Sequence, residues 1–331
     1  MLPKVHILGT GGSISGIGPH RLDYTLYPDS GKKLTVAQLL ERIPEARALA
    51  ELSGEDVLQV GSPSIGPVQW LQLGERIHTL FNSSSANGVV VTHGTATLEE
   101  TAYFLHLSVK SERPVVLTGA MRPPSALGTD ADLNLLDAIR LAAAPETAGR
   151  GVLTLLNNEI QSARDATKSN AFRVDTFHSR DFGVLGYVDS DARVLFYRSV
   201  TRPHTTATPF DVRGRKELPR VDIVHAYAGA DGLLVDALAE RRPTGMVLVG
   251  FGGGSYPAEF LSAGKRAVRA GIPVVLATRS WNGRVVMTPK KDADGFIVCD
   301  DLMPQKARIL LMLALTVTQE RVAIQNMFYE Y

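Results

Sequence analysis

The sequence is poor in cysteine, in aromatic residues, in net charge and in long apolar runs, and these scarcities exclude several classes of protein. A single cysteine, Cys299, rules out a disulfide within the chain and fits a reducing compartment. The 35 lysine and arginine residues are balanced by 34 acidic residues, so no basic surface for nucleic acid is indicated. No segment approaches the ~18 consecutive apolar residues of a membrane span, and we expect none.

The amino terminus reads MLPKVHILGTGG, and its apolar part is too short for a signal peptide before glycines interrupt it. These features predict a cytoplasmic protein, with secretion of a processed form as the open alternative. The chain has 331 residues, 44% of them hydrophobic, which is enough for one large or two medium domains.

Short apolar runs alternate with longer segments of helical periodicity. The runs are apolar throughout, which is typical of parallel strands covered on both faces. Predicted strands lie at 5–8, 89–92, 115–118, 152–156, 222–225, 246–250 and 274–277. Predicted helices lie at 69–81, 98–110, 133–144, 259–270 and 305–316. This alternation predicts a doubly wound α/β fold with mainly parallel sheets.

A stretch rich in proline, hydroxyl residues and charge, residues 198–219, shows no clear periodicity. We interpret it as a connection between two domains. The chain then divides into a larger N-terminal α/β domain (1–200), a linker (201–220) and a smaller C-terminal α/β domain (221–331). The alternative is a long surface loop within a single domain.

The segments that follow the predicted strands are the candidate site, because ligands of open α/β sheets bind beyond the carboxyl ends of the strands. They read GTGGSISG, THGTAT, GAMRPPSALGTDAD and a segment ending near Lys168. Ile14 replaces the last glycine of a dinucleotide fingerprint, and Pro257 breaks a G-x-S-x-G elbow. No Cys/His cluster indicates a metal. For His93, the histidine nearest these segments, a structural role is favoured over a catalytic one.

Three residues of these segments, Thr10, Thr95 and Lys168, suit acyl transfer. A threonine hydroxyl attacks a carbonyl only after a base removes its proton, and a lysine kept neutral by burial can be that base. Backbone N–H groups at a strand end could bind the developing oxyanion. The structural alternative is a capping box, because Thr97 and Glu100 match T-x-x-E at a helix start.

Six stretches identify a family when taken together: GTGGSISG, VVVTHGTATLEETA, VVLTGAMRP, RDATKSNAF, TPFDV and LMPQKARILLMLALT. In this order, and over essentially the whole chain, they resemble the bacterial L-asparaginase/glutaminase family of amidohydrolases. The resemblance implies two α/β domains, of which the larger N-terminal one carries the active-site loops. It also implies a homotetramer, a dimer of dimers, in which a neighbour's smaller domain helps close each site. The implied reaction hydrolyses a carboxamide through an acyl-enzyme on threonine, with no metal or cofactor.

Carried over position by position, the resemblance makes Thr10 the nucleophile of the first loop, Thr95 the second threonine and Lys168 its lysine partner. Tyr24 or Tyr27 matches a lid tyrosine that hydrogen-bonds near the nucleophile, and Tyr27 is favoured. The positions expected to contact the small amide substrate are Gly11, Gly61, Ser62, Gly94, Ala96 and Ala120.

The departures from the family pattern lie around the amino group of the substrate. Ala96 stands where the family has an aspartate that binds the α-ammonium and orients the lysine–threonine relay. Ser62 matches the serine that holds the α-carboxylate, but Pro63 follows it in place of a frequent glutamine. Gly229 replaces a common asparagine, and residues 280–291 lack the glutamate that a neighbouring subunit supplies. The groups for acyl transfer remain, while the ammonium contacts are missing together.

These departures leave three hypotheses. The sequence predicts an active amidohydrolase with altered specificity, whose substrate is a small linear or cyclic amide without a free α-amino group. One alternative is an ordinary L-asparaginase weakened by Ala96, and the other is a non-catalytic homologue that only binds ligands. A carboxylate at this position would favour the charged form of Lys168, so Ala96 eases formation of the neutral amine but removes an orienting contact.

Overall fold

The computed structural model describes residues 1–331, which divide into two compact units, Met1–Gly214 and Arg215–Tyr331. The strands of the first unit are β1 (Lys4–Gly11), β2 (Glu51–Val60), β3 (Gly88–Thr92), β4 (Val115–Thr118), β5 (Val152–Leu156), β6 (Glu159–Ser162), β7 (Ala166–Lys168), β8 (Phe177–Ser179), β9 (Gly186–Val188) and β10 (Val194–Phe196). Its helices are α1 (Val36–Glu41), α2 (Pro67–Asn82), α3 (Leu98–Ser108) and α4 (Ala131–Ala143).

The strands of the second unit are β11 (Val221–His225), β12 (Gly245–Gly250), β13 (Val274–Thr278) and β14 (Ile297–Val298). Its helices are α5 (Leu233–Glu240), α6 (Ala258–Arg269), α7 (Pro289–Ala293), α8 (Pro304–Ala314) and α9 (Arg321–Glu330). No helix of the chain is long and apolar enough to cross a bilayer; α2, the longest, has 16 residues.

One eight-stranded sheet, with the order β10-β9-β6-β5-β4-β3-β1-β2, forms the framework of the first unit. Strands β5, β4, β3, β1 and β2 are parallel, and β6, β9 and β10 continue the sheet in antiparallel pairs. Every residue of β3, β4 and β5 is buried. Because successive side chains point to opposite faces, both faces of these strands are covered, which explains their predominantly apolar sequences.

A separate four-stranded sheet, ordered β11-β12-β13-β14 and wholly parallel, forms the framework of the second unit. Its two central strands, β12 and β13, are completely buried. Helix α8 packs on β11, β12 and β13. Two α/β units with mainly parallel sheets are therefore present, and the predicted fold class is confirmed.

The strands that the sequence did not predict are polar, short or at an edge. Strand β2 reads ELSGEDVLQV, pairs only with β1 and has no fully buried residue, so it carries no apolar run. Strands β5 and β6 form a hairpin whose two turn residues, Asn157 and Asn158, have φ angles of 53° and 64°. Asparagine tolerates this left-handed region, which two-residue hairpins require. The short hairpin of β7 and β8 pairs Lys168 with Phe177.

Much of the segment predicted as a linker packs on the first unit. Lys110, which follows α3, donates from Nζ to the carbonyls of Thr205 and Thr208 at 2.9 and 2.8 Å. Burial lowers the pKa of Lys110 to about 8. Phe210 is fully buried as well. These contacts make residues 205–210 part of the first unit rather than a free connection.

The start of β3 should tolerate no added side chain, because a Cβ on Gly88 would lie 2.4 Å from the carbonyl oxygen of Ala142 in α4. We expect Gly88→Ala to lower the free energy of unfolding by about 1–3 kcal/mol through overpacking. Gly74→Ala is the matched control, since its methyl in α2 would meet nothing nearer than Leu105 Cδ2 at 3.9 Å. Helix propensity should then stabilise that variant by up to about 1 kcal/mol. Urea unfolding compares the two, and a Gly88→Ala protein as stable as the wild type would contradict this packing.

Candidate active site

A cavity of about 320 Å³ lies at the carboxyl ends of β1, β2 and β3. Parallel strands end at the same edge of a sheet, so the loops after these strands converge there. The residues that line the cavity are Gly12, Ser13, Gly16, Tyr27, Pro28, Gly31, Lys32, Lys33, Gly61, Ser62, Pro63, Gly94, Thr95, Ala96 and Lys168. A recess of about 980 Å³ near the amino ends of β1 and β4 contains none of the predicted site residues.

The loop after β1 brings a serine and a tyrosine together at the cavity. The chain turns at Gly11 and Gly12, whose φ angles are 97° and 88°, and a short 3₁₀ turn begins at Ser13. A Cβ on Gly12 would lie 2.2 Å from Gly94 Cα, so only glycine allows this contact with the loop after β3. The Ser13 Oγ lies 2.5 Å from the hydroxyl of Tyr27, and both residues line the cavity.

A lysine and a threonine form the second hydrogen-bonded pair of the cavity. Lys168 donates from Nζ to Thr95 Oγ1 at 2.7 Å. Its backbone N–H donates to Oε2 of Glu99, a buried residue in the first turn of α3, at 3.0 Å. Burial of the amine lowers the pKa of Lys168, and the Glu99 carboxylate opposes that shift. An amine with a lowered pKa beside a hydroxyl is suited to accept its proton.

The hairpin that carries Lys168 is anchored to the main sheet by Gln161 of β6. The Gln161 Nε2 donates to the carbonyl of Phe177 at 2.6 Å, and its Oε1 accepts from Ser179 Oγ at 3.0 Å. Both partners lie on β8, the strand that pairs with β7. The position of the lysine is therefore set by contacts with the main sheet rather than by a loose loop.

The rest of the lining is neutral or basic. The carbonyl of Ser62 accepts from Thr97 Oγ1 at 2.7 Å, which ties the loop after β2 to the start of α3, and Ser62 Oγ makes no hydrogen bond within the chain. Thr97 is the N-cap of α3 but makes no side-chain capping bond, so the capping-box alternative does not form. Pro63 and Ala96 contribute apolar groups, and no Asp or Glu lines the cavity. The cavity thus offers a hydroxyl to a carboxylate but no carboxylate to an ammonium.

His93 is a structural residue. It is fully buried, lies outside the cavity lining, and its Nδ1 is 2.8 Å from the Gly94 carbonyl oxygen. Because a carbonyl only accepts, Nδ1 carries the proton and Nε2 accepts from Thr101 Oγ1 at 2.9 Å. Thr101 in turn accepts from Trp70 Nε1 at 2.9 Å. Burial lowers the pKa of His93 to about 4, so the neutral imidazole holds the Gly94 carbonyl in place.

The structure brings seven of the predicted site residues to the cavity and leaves four outside its lining. Those at the cavity are Tyr27, Gly61, Ser62, Gly94, Thr95, Ala96 and Lys168. Those outside it are Thr10, Gly11, Tyr24 and Ala120.

The structure places Thr10, the predicted nucleophile, outside the cavity lining. Its side chain is fully buried, and its Oγ1 donates to the carbonyl of Thr92 at 2.9 Å, so the hydroxyl faces the neighbouring strand. Ser13 is the hydroxyl of the same loop that reaches the cavity. Tyr24 is also turned away, since its hydroxyl donates to the carbonyl of Leu127 at 3.1 Å. Tyr27 is the tyrosine of this loop that lines the cavity.

Sequence reasoning missed Ser13, Lys32 and Lys33. The glycine pair before Ser13 was the available signal, because a turn of positive φ redirects the chain beyond the strand and exposes the side chain that follows. The lysines gave no local signal. They reach the cavity because the loop folds back, with Leu34 N–H donating to the Ser15 carbonyl at 2.7 Å.

Comparison with known proteins shows which family the chain resembles. The family model described as Asparaginase, N-terminal, matches residues 4–202, and the Glutaminase/Asparaginase C-terminal domain matches residues 220–328. L-asparaginase 2 of Bacillus subtilis is 42% identical over 100% of this chain and 87% of its own length. L-asparaginase 2 of Escherichia coli is 39% identical, covering 100% and 94% of the two chains. A glutaminase-asparaginase of Pseudomonas fluorescens is 37% identical, covering 100% and 91%.

Among solved structures, a probable cytoplasmic L-asparaginase from Campylobacter jejuni superimposes with a TM-score of 0.95 at 40% identity, covering 99% of this chain and 100% of that one. A Haemophilus influenzae relative, 39% identical over 100% of this chain and 93% of its own, is named a probable periplasmic L-asparaginase. The relatives' names therefore span two compartments. Since both domain models match and full-length relatives share more than a third of their residues with it, the chain belongs to the asparaginase/glutaminase family of amidohydrolases.

Proposed function

We propose that this protein hydrolyses a small carboxamide to a carboxylate and ammonia through an acyl-enzyme formed on Ser13. The observation that supports this most is the presence, at one cavity, of two hydrogen-bonded pairs: Ser13 with Tyr27, and Thr95 with Lys168. The first pair supplies a hydroxyl nucleophile, and the second supplies an amine with a lowered pKa. Acyl transfer needs both a nucleophile and a group that moves its protons.

Ser13 is preferred to Thr95 as the acyl acceptor for two reasons. The family resemblance assigns the nucleophile to the first loop beside the lid tyrosine, and Ser13 is the first-loop hydroxyl bonded to Tyr27. A serine hydroxyl is also less hindered than that of a β-branched threonine. Thr95 is the second candidate, because its Oγ1 lies directly beside the amine of Lys168.

The reaction then proceeds in two steps. Ser13 Oγ bonds to the amide carbon and passes its proton to the Tyr27 hydroxyl, while Tyr27 passes its own proton to the leaving nitrogen; the C–N bond breaks and ammonia leaves. Water next attacks the ester, and neutral Lys168 accepts a water proton through Thr95. The bond between the acyl carbon and Ser13 Oγ then breaks, the proton held by Lys168 is returned to Ser13 Oγ, and the carboxylic acid departs. Backbone N–H groups of the glycine turns are the candidates for stabilising each oxyanion.

The substrate we propose lacks a free α-amino group. An α-ammonium is bound strongly when it has an acidic partner, and no acidic residue lines the cavity. Ala96 and Pro63 stand at the positions where the family resemblance places such contacts. The relatives' names favour one alternative, an ordinary L-asparaginase weakened by Ala96.

We also propose that the chain assembles as a homotetramer, a dimer of dimers, as the family resemblance implies. Large apolar side chains exposed in both units support association; Tyr197 is 68% exposed and Leu233 is 69% exposed.

Ser13→Ala should reduce kcat by at least about 1,000-fold, because the nucleophile is lost. In the wild type, acid quenching during turnover of a slow amide should leave the acyl group on the peptide that contains Ser13, as seen by mass spectrometry. Thr10→Val is the matched control: it removes a buried hydroxyl outside the cavity and should cost about 1–3 kcal/mol of stability without a comparable loss of kcat. If the acyl group were found on Thr95, or if Ser13→Ala remained active, Ser13 would not be the nucleophile and Thr95 would take its place in the mechanism.

The pH profile should report the ionisation of Lys168. The amine accepts a proton only when neutral, so kcat/KM should rise as pH increases through its pKa, which burial places below the ordinary lysine value. Glu99 raises that pKa, so Glu99→Gln should shift the rise to lower pH while the amide oxygen still accepts from the Lys168 N–H. If the rise in kcat/KM of Glu99→Gln stayed at the same pH or moved to higher pH, Lys168 would not be the group that accepts the proton.

Ala96→Asp tests which substrate the cavity suits. One charge-assisted contact contributes about 1.5–3 kcal/mol, so kcat/KM for asparagine should rise by no more than about 10- to 150-fold. Because the other ammonium contacts remain missing, amides without an amino group should stay the better substrates. Ammonia release from asparagine, glutamine, malonamide and lactams measures this order. If asparagine became the best substrate after this single change, the protein would be a weakened asparaginase.

A further inference from the structure

Three lysines and no acidic residue line the cavity. Lys168 donates to Thr95, and Lys33 donates from Nζ to the carbonyl of Gln59 at 2.6 Å, so both amino groups have hydrogen-bond partners, which are neutral. Lys32 is exposed, and its ammonium makes neither a hydrogen bond nor an ion pair within the chain. Lys32 is therefore the one lysine of the lining whose ammonium has no partner in the chain.

The backbone of Lys32 is held beside the turn that contains Ser13. Its N–H donates to Ser30 Oγ at 3.2 Å, and its carbonyl accepts from the Ile17 N–H at 3.0 Å. The Ser30 hydroxyl donates in turn to the Ile17 carbonyl at 2.6 Å. Asp29, the nearest acidic residue along the loop, lies outside the cavity lining. The loop thus keeps the lysine at the cavity and its nearest acid away from it.

We propose that Lys32 is a substrate-binding residue that recognises a carboxylate, and that the substrate class is the monoamide of a dicarboxylic acid without an amino group. This inference rests on the proposed amidohydrolase function and names its substrate. Such a compound has a net charge of −1, so the cations of the cavity attract it. Free asparagine is neutral overall, and the same cations repel its ammonium.

The carboxylate has two partners at the cavity. Ser62 offers a hydroxyl that makes no hydrogen bond within the chain, and Lys32 offers an ammonium that has no partner in the chain. Hydrogen bonding to the hydroxyl orients the carboxylate, while the ammonium supplies attraction at longer range. A neutral amide of the same length can use neither the charge nor a full carboxylate contact.

The test compares three four-carbon amides: succinamate (charge −1), the neutral diamide succinamide, and zwitterionic asparagine. The wild type should prefer succinamate in kcat/KM. Lys32→Gln should lower this value about five-fold or more, through KM, because an ammonium and a carboxylate about 4 Å apart attract each other even in water. Lys32→Arg should restore most of it, and the ratio of kcat/KM for succinamate to kcat/KM for succinamide should fall in Lys32→Gln. Lys4→Gln, an equal charge change at the opposite end of β1, is the control and should behave as the wild type.

Binding makes the outcome independent of turnover. Calorimetric titration of succinamate into the Ser13→Ala protein should show binding. Both the Lys32→Gln change and added salt should increase its Kd. If no amide is hydrolysed but this binding depends on Lys32, the proposed hydrolase function is overturned and the proposed carboxylate site is supported. If amides are hydrolysed while Lys32→Gln changes neither binding nor the preference for succinamate over succinamide, the assignment of Lys32 is overturned.

Discussion

The contact between the backbones at Gly12 and Gly94 is the constraint on which the rest of the site depends. A Cβ on Gly94 would lie 2.8 Å from Ser62 Cβ, just as one on Gly12 would clash with Gly94. The loops after β1, β2 and β3 are therefore in direct contact, as the strand order β3-β1-β2 allows. Ser13 and Thr95 each follow one of these glycines, so their hydroxyls reach the cavity without long, flexible side chains.

The charge of the cavity links catalysis to specificity. Lys168 enters from the β7–β8 hairpin, where burial lowers its pKa and the nearby Glu99 opposes the shift. A carboxylate at position 96 would favour the charged amine and would also bind an ammonium, and Ala96 does neither. In the proposed function, Ala96 therefore both helps Lys168 accept a proton and leaves the cavity suited to an anion. The proposed role of Lys32 adds to this bias, because its ammonium has no partner in the chain.

The elements that the sequence predicted are those whose surroundings are uniform along their length. Fully buried strands such as β3, β4 and β12 are apolar at nearly every position, and the longer helices repeat apolar residues with helical spacing. Strand β2 was missed because its only neighbour is β1, and strand β6 because the signal of its hairpin lies in two asparagines of positive φ. In both cases pairing with another strand, rather than local pattern, makes the segment a strand.

The sequence by itself determined the two α/β units, the family, and the segments that meet at the active site, because apolar runs, glycine turns and motif order are local features of the chain. Tertiary structure decided which side chains those segments present. Thr10 and Ser13 belong to one motif, yet the first is bonded to Thr92 within the sheet and the second reaches the cavity beside Tyr27. Lys32 becomes part of the site only when its loop folds back on the turn after β1. The physical reason is that both properties depend on atoms far away in sequence. These atoms determine where a side chain points after a positive-φ turn and which groups surround a charged side chain.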